Sequence, residues 1–297
     1  MNVNEIEIPV PWGIVAGKTW GNEDNSKILL IPGIGDNVES FNALVPLLPP
    51  HFCYVAVDLP GHGISSHFPQ NVNLNIWDYI LAIRLVIGFL KEEPIILMGH
   101  SFGGCVLTVY AQFYPNQVSK LILIDSNYYP LKREVFRITF KAYMEGSSEL
   151  LTSLSAKQRQ TFRYNEGLNK SNGKRLLGNV TPKSADELYK RNIVEVGADM
   201  YQSRIDPRLK YLTYIFITDV CFFNIFKSGP STCPTLSIIA LDAKHPHYPG
   251  KGLAGAMEQI NPNYVCKFVR GDHYIHMHSP EIIVPLIIHF LLLKCSL

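Results

Sequence analysis

The sequence contains no pair of cysteines at CxxC spacing, no marked excess of either charge and no unbroken apolar run of the ~18 residues that a spanning helix needs. Each absence narrows the reading. Six cysteines stand at 53, 105, 221, 233, 266 and 295, several of them in apolar, strand-like surroundings where a thiol serves as a small core hydrophobe. Twenty-seven basic against 25 acidic residues leave a formal charge of +2, too little to argue for a nucleic-acid partner. The local basic run of Lys132, Arg133, Arg137 and Lys141 reads as a solvated helix face. The longest apolar stretch, Ile282 to Leu293, is interrupted by Pro285 and His289 and reads as a buried C-terminal helix rather than a transmembrane segment. The start, Met1 to Gly13, has no basic-then-apolar signal profile. A reducing, soluble compartment is expected, cytoplasmic, with the final Cys295-Ser-Leu297 only distantly resembling a peroxisomal signal. With 47% hydrophobic and 18% charged residues, 297 residues suit one large α/β domain or a domain with an insertion. The expected assembly is a monomer or homodimer.

Strand and helix patterns alternate through residue 126. Glu5–Val10 and Gly13–Trp20 alternate in period two around Pro11-Trp12, which predicts a hairpin. Lys27–Ile31, Tyr54–Val57, Pro94–Met98 and Leu121–Ile124 are short continuous apolar runs, the pattern of strands buried on both faces. Ser40 is placed to cap a short helix with Phe41, Leu44 and Leu47, and Ile76 to Leu90 has helical spacing. Repeated strand–helix–strand units of this size imply a largely parallel sheet with helices on both faces. From 127 to 230 the alternation fails and the chain reads as mostly helical and polar-aromatic; strands return at Thr235–Ile239 and Tyr264–Val269. A last helix begins at Ser279-Pro280, with Ser279 as N-cap. The expected organisation is a core of residues 1–126 and 231–297, interrupted by a helical cap at 127–230.

Gly99-His100-Ser101-Phe102-Gly103 fits the G-x-S-x-G pattern, with a buried strand before it, an amphipathic helix after it and a further glycine at 104. A serine on so sharp a turn projects its hydroxyl above the strand end, and the helix N-terminus favours developing negative charge. Its base belongs after the last strand and before the last helix, where Arg270-Gly-Asp-His273 lies, seven residues ahead of Pro280. His276 and His278 crowd the same loop. The trio raises zinc ligation, but no cysteine or carboxylate cluster completes a set, so no metal is expected, and the two read as structural or pocket-lining. Two carboxylates compete to orient His273: Asp125, at the end of the strand after the nucleophile helix, and Asp242, after the Thr235–Ile239 strand. The sequence slightly favours Asp125 and leaves both open. Oxyanion donors are expected at the backbone N–H groups of Phe102 and Ile34, with Gly33, His100 and His276 lining the substrate site.

With Ser101, Asp58-Leu-Pro-Gly-His-Gly63 and Gly271-Asp-His273 in place, the chain resembles the α/β-hydrolase superfamily and, within it, the animal serine hydrolase-like proteins. The Val10-Pro-Trp-Gly13 start and Arg204-Ile-Asp-Pro-Arg-Leu209 narrow the likeness, which runs nearly end to end. It implies a mostly parallel eight-stranded sheet with an inserted helical cap, and a serine-dependent hydrolase. Two departures stand out. Pro32-Gly33 replaces the usual His-Gly of the oxyanion loop, and the late strand carries no acid in the usual register.

The reaction expected is hydrolysis of an ester, on a small or lipid-like acyl substrate, through an acyl-Ser101 intermediate without a cofactor. Aromatics of the insertion (Phe136, Phe140, Tyr143, Tyr211, Tyr214, Phe216, Phe222, Phe223) favour an apolar substrate or simply form the insertion's core. Dehalogenase and epoxide hydrolase chemistry would need an Asp where Ser101 stands. The competing class is a ligand-binding protein that keeps the fold with weakened catalysis, motivated by the altered oxyanion loop and the uncertain acid.

Overall fold

A computed structural model describes residues 1–70, 72–126, 133–154, 160–172, 180–212, 224–227, 229, 232–243 and 250–293. Ten strands are present among them: β1 (Val3–Val10), β2 (Gly13–Trp20), β3 (Lys27–Ile31), β4 (Cys53–Val57), β5 (Ile95–His100), β6 (Val118–Ile124), β7 (Ile193–Gly197), β8 (Met200–Ser203), β9 (Thr235–Ala240) and β10 (Tyr264–Val269). Eight of them form a central sheet in the order β1-β2-β4-β3-β5-β6-β9-β10, while β7 and β8 pair separately. The β1–β2 hairpin is antiparallel and joins β4 antiparallel; the other pairings of the central sheet are parallel. The uninterrupted apolar strands become the buried middle of the sheet because helices cover both faces. One core layer lies between the sheet and helices α1 (Ile76–Leu90) and α2 (Phe102–Phe113). The other is closed by the last helix, through Ile283, Ile287 and Phe290, and by Val38, Phe41 and Leu44.

Local chemistry sets the ends of these elements. Asn75 and Asp78 form a reciprocal capping box on α1. The short helix expected to be capped by Ser40 is two 3₁₀ turns, Val38–Phe41 and Val45–Leu47, and its cap is Asn37, whose side chain accepts from Glu39 N at 3.1 Å. Ser40 is buried instead. The last helix runs Pro280–Leu292 with Pro280 in its first turn, but Ser279 makes no side-chain cap. Its far end is held by Lys120 of β6, whose buried Nζ donates to the carbonyls of Phe290, Leu291 and Leu293 at 2.7–2.8 Å. A cation there also complements the helix dipole.

β6 and β9 are adjacent in the sheet, yet the chain between them makes α3 (Arg133–Leu154), α4 (Tyr164–Asn172), α5 (Pro182–Arg191) and the antiparallel β7–β8 ribbon. The ribbon is a stretch of strand within a segment expected to be mostly helical. In the basic run, Lys141 is exposed as expected, while Lys132 and the side chains of Arg133 and Arg137 lie outside the described residues. The same holds for Cys221, Cys295, Ser296, Leu297, Tyr214, Phe216, Phe222, Phe223 and the Phe136 side chain. Among the described residues, no helix is long and apolar enough to cross a membrane.

The inserted segment is bound to the loops at the carboxyl ends of the central strands. Asn37 Nδ2 donates to Leu188 O at 2.8 Å, and the Asn192 side chain bridges Gly63 N and Gly35 O. Arg204–Leu209 explains its own motif: Arg208 Nε and Nη2 grip the Asp206 carboxylate while its remaining donors reach the carbonyls of Phe68, Pro69 and Val72. Arg191 adds an electrostatic tie. Its Nε meets Asp58 Oδ2 at 2.7 Å and its two Nη groups meet Glu5 at 2.9 Å. Asp58 is 0% exposed, and burial pushes its carboxyl above the ordinary range against the pull of Arg191. Arg191→Met should therefore leave an unpaired buried charge and cost about 3–5 kcal/mol. Urea unfolding of Arg191→Met, Asp58→Asn and the double variant checks this. The double variant should recover part of the loss, and strictly additive losses would show that the pair is not coupled.

Candidate active site

β5 ends at His100, and Ser101 follows with φ 50° and ψ −121°, outside the regions that side chains ordinarily occupy. Glycines make that turn feasible. A Cβ on Gly99 would come within 2.6 Å of the Gly104 backbone, and one on Gly103 would strike the Ile31 and Pro32 carbonyls. The first turn of α2 is thereby pressed onto the loop after β3. Ser101 N donates to Ile124 O at 3.1 Å, and Ser126 Oγ donates to Ser101 O at 2.6 Å. Ser126 is a support that sequence reasoning missed; its only signal is a small hydroxyl directly after Asp125.

His273 lies on the loop between β10 and the short helix Ile275–His278, 2% exposed. Its Nδ1 is 2.7 Å from Asp125 Oδ2; a carboxylate only accepts, so Nδ1 is the donor, which in the neutral ring leaves the lone pair on Nε2. The other carboxylate oxygen, Asp125 Oδ1, accepts from Ala240 N at 2.9 Å, and Asp125 N donates to Ile238 O. Asp125 has φ 39°, a left-handed turn that aims its side chain along the sheet edge towards the base loop. Asp242 does not touch the His273 ring. It clamps the loop instead: Oδ2 accepts from Gly271 N, and Asp242 N donates to Gly271 O, both at 2.9 Å.

Gly33 lies directly against the serine, where an added Cβ would stand 3.2 Å from Ser101 Cβ and 3.0 Å from His100 Nδ1. His100 and His276, the two histidines expected to line a substrate site, lie side by side. Both are 0% exposed, with ring centroids 4.0 Å apart, beneath the base loop rather than facing solvent. Burial lowers the pKa of each, that of His100 to about 4, so both rings are neutral. His278 is turned elsewhere: Nδ1 meets Asp272 Oδ2 at 2.7 Å, and Nε2 accepts from Thr181 N at 3.3 Å. No group of His, Cys, Asp or Glu among the described residues is arranged to hold a metal ion.

Comparison with known proteins agrees with this fold. The profile described as alpha/beta hydrolase fold matches residues 27–280. A Mus musculus serine hydrolase-like protein is 29% identical over 303 residues, covering 97% of this chain and 95% of that protein. A Danio rerio serine hydrolase-like protein is 30% identical over 292 residues, covering 97% and 88%. Among solved structures, a hypothetical protein from Pseudomonas aeruginosa PAO1 superposes with a TM-score of 0.77 at 23% identity, covering 97% of this chain and 99% of that one. At that identity the likeness concerns the fold alone.

Proposed function

The chain belongs to the α/β-hydrolase fold family, with the animal serine hydrolase-like proteins as relatives, and on that premise we propose that it hydrolyses carboxylic esters through Ser101. The observation that carries this reading is the 2.7 Å contact between His273 Nδ1 and Asp125 Oδ2, in a chain that also carries a strained serine on a strand-to-helix turn. The contact holds the imidazole in the tautomer that a general base requires.

In this mechanism Ser101 Oγ attacks the ester carbonyl carbon while its proton passes to His273 Nε2. The carbonyl oxygen takes up negative charge, met by the N–H groups of Phe102 and Ile34. Collapse breaks the ester C–O bond, and His273 returns the proton to the departing alcohol. Water, deprotonated by the same nitrogen, then attacks the acyl carbon; the bond to Ser101 Oγ breaks, His273 returns the proton to Oγ, and the acid leaves. Asp125 orients the ring and stabilises the imidazolium that forms. Pro32 lies one residue before Gly33 and two before Ile34, so it removes no donor from this scheme. The segment between β6 and β9, anchored over the strand ends by Leu188, Asn192 and Arg208, acts as the cap that selects the acyl group.

A p-nitrophenyl ester series from short to long acyl chains tests the proposal, with a fluorophosphonate probe in parallel. Turnover that peaks at one chain length, together with probe adduct on Ser101, is the expected result. Folded protein that neither turns over any ester nor takes up the probe would replace this reading with that of a ligand-binding protein.

A further inference from the structure

The base loop has a support from below that the reaction scheme does not use. His100 Nε2 is 2.8 Å from the backbone carbonyl of His273. A carbonyl only accepts, so the His100 proton is on Nε2 and Nδ1 carries a lone pair. That Nδ1 is buried without a hydrogen-bond partner, 3.9 Å from Asp36 Oδ2. The His100 ring is held on two further sides, by His273 at 4.6 Å and by His276 at 4.0 Å between centroids. Phe41 packs on His276 at 5.6 Å.

We infer that His100 is a positioning residue for the base: its Nε2–H fixes the His273 carbonyl, and so sets where the imidazole stands between Asp125 and Ser101. The inference rests on the reading of Ser101 and His273 as nucleophile and base. It follows from how the loop is built. Gly271 has φ 147°, so the chain turns through a flexible residue just before the base. Asp242 clamps that glycine from one side, and Asp272 Oδ1 caps Tyr274 N at 2.8 Å on the other. The peptide carbonyl of His273 itself is gripped by His100. Packing alone would need only an aromatic ring at position 100, whereas a hydrogen bond of this direction needs a donor at Nε2. Placing the donor on the residue before the nucleophile couples the serine and the base through one rigid turn.

Two variants and one spectrum decide the matter. His100→Leu keeps bulk and removes the donor; His100→Gln keeps a side-chain N–H of similar reach. The rate of Ser101 labelling by a fluorophosphonate is followed from acid to alkaline pH in both, with Ser101→Ala as the blank. The Leu variant should label about 10- to 100-fold more slowly, with a displaced pH profile, as misplacement of a catalytic group by ~1 Å would cause. The Gln variant should keep most of the rate. Equal impairment in both variants, or none in either, overturns the inference. If the Leu variant fails to fold, NMR of isotope-labelled histidines in the unaltered protein decides: His100 must be the neutral Nε2–H tautomer, and an Nδ1–H tautomer overturns the assignment. An unlabelled wild type, by contrast, would remove the reading of Ser101 itself, and the tautomer of His100 would still be measured separately.

Discussion

Ser101→Ala should reduce ester turnover by about 10⁶-fold while leaving the thermal melt unchanged, the loss that follows removal of a triad nucleophile. The residue keeps its Cβ, so the close contact with Gly33 and the backbone bonds to Ile124 and Ser126 persist. What disappears is the atom that forms the acyl intermediate. Ser101→Gly separates chemistry from strain. A side chain at φ 50° and ψ −121° costs on the order of 1–3 kcal/mol, while glycine gives back ~0.5–1 kcal/mol through its more mobile unfolded chain. The balance favours a glycine variant that is inactive and about 1 kcal/mol more stable. Turnover at wild-type rate in Ser101→Ala would place the nucleophile elsewhere. A less stable Ser101→Gly would mean that the elbow stores no strain.

The strands of the core are legible in the sequence because their apolar runs are continuous, and burial on both faces demands that pattern. The elbow is legible for a similar reason: its glycines are required by contacts with backbone, and few other residues would fit. The β7–β8 ribbon is not. Its turn uses Ala198-Asp199 with Asp199 at φ 56° rather than an Asn-Gly or Asp-Gly pair, and in its two strands only Ile193 is buried, so neither a turn signal nor alternation marks it. Chain order puts His100 beside the serine and so suggests a substrate contact. Which way a strand-end side chain turns, however, depends on the loop that passes over it, here one that is 173 positions away in the chain. Sequence favours Asp125 over Asp242 only slightly, since β6 and β9 are neighbours and both end under the same base loop. Sequence supplies the two carboxylates. Only the register of the strands assigns one to His273 and the other to Gly271.

That division of labour makes Asp125→Asn the sharper of the two carboxylate experiments. The asparagine oxygen can still accept from Ala240 N in place of Asp125 Oδ1, so the side chain should keep its position. Its amide nitrogen then faces His273 Nδ1 and, being a donor, selects the tautomer with the proton on Nε2. In that form the imidazole presents a hydrogen where it should present a lone pair, and kcat should fall by about 10⁴-fold with the fold intact. Asp242→Asn retains an acceptor for Gly271 N and should lower kcat only slightly; Asp242→Ala, which frees the glycine, should cost more, yet far less than Asp125→Asn. Steady-state rates for the three variants on one ester, alongside their melting curves, compare them directly. Were Asp242→Asn the more damaging, the orienting acid would have to be reassigned to the β9 end of the sheet. Equal small losses in all three would mean that neither carboxylate controls the tautomer, and the base would then be held by its backbone contacts alone.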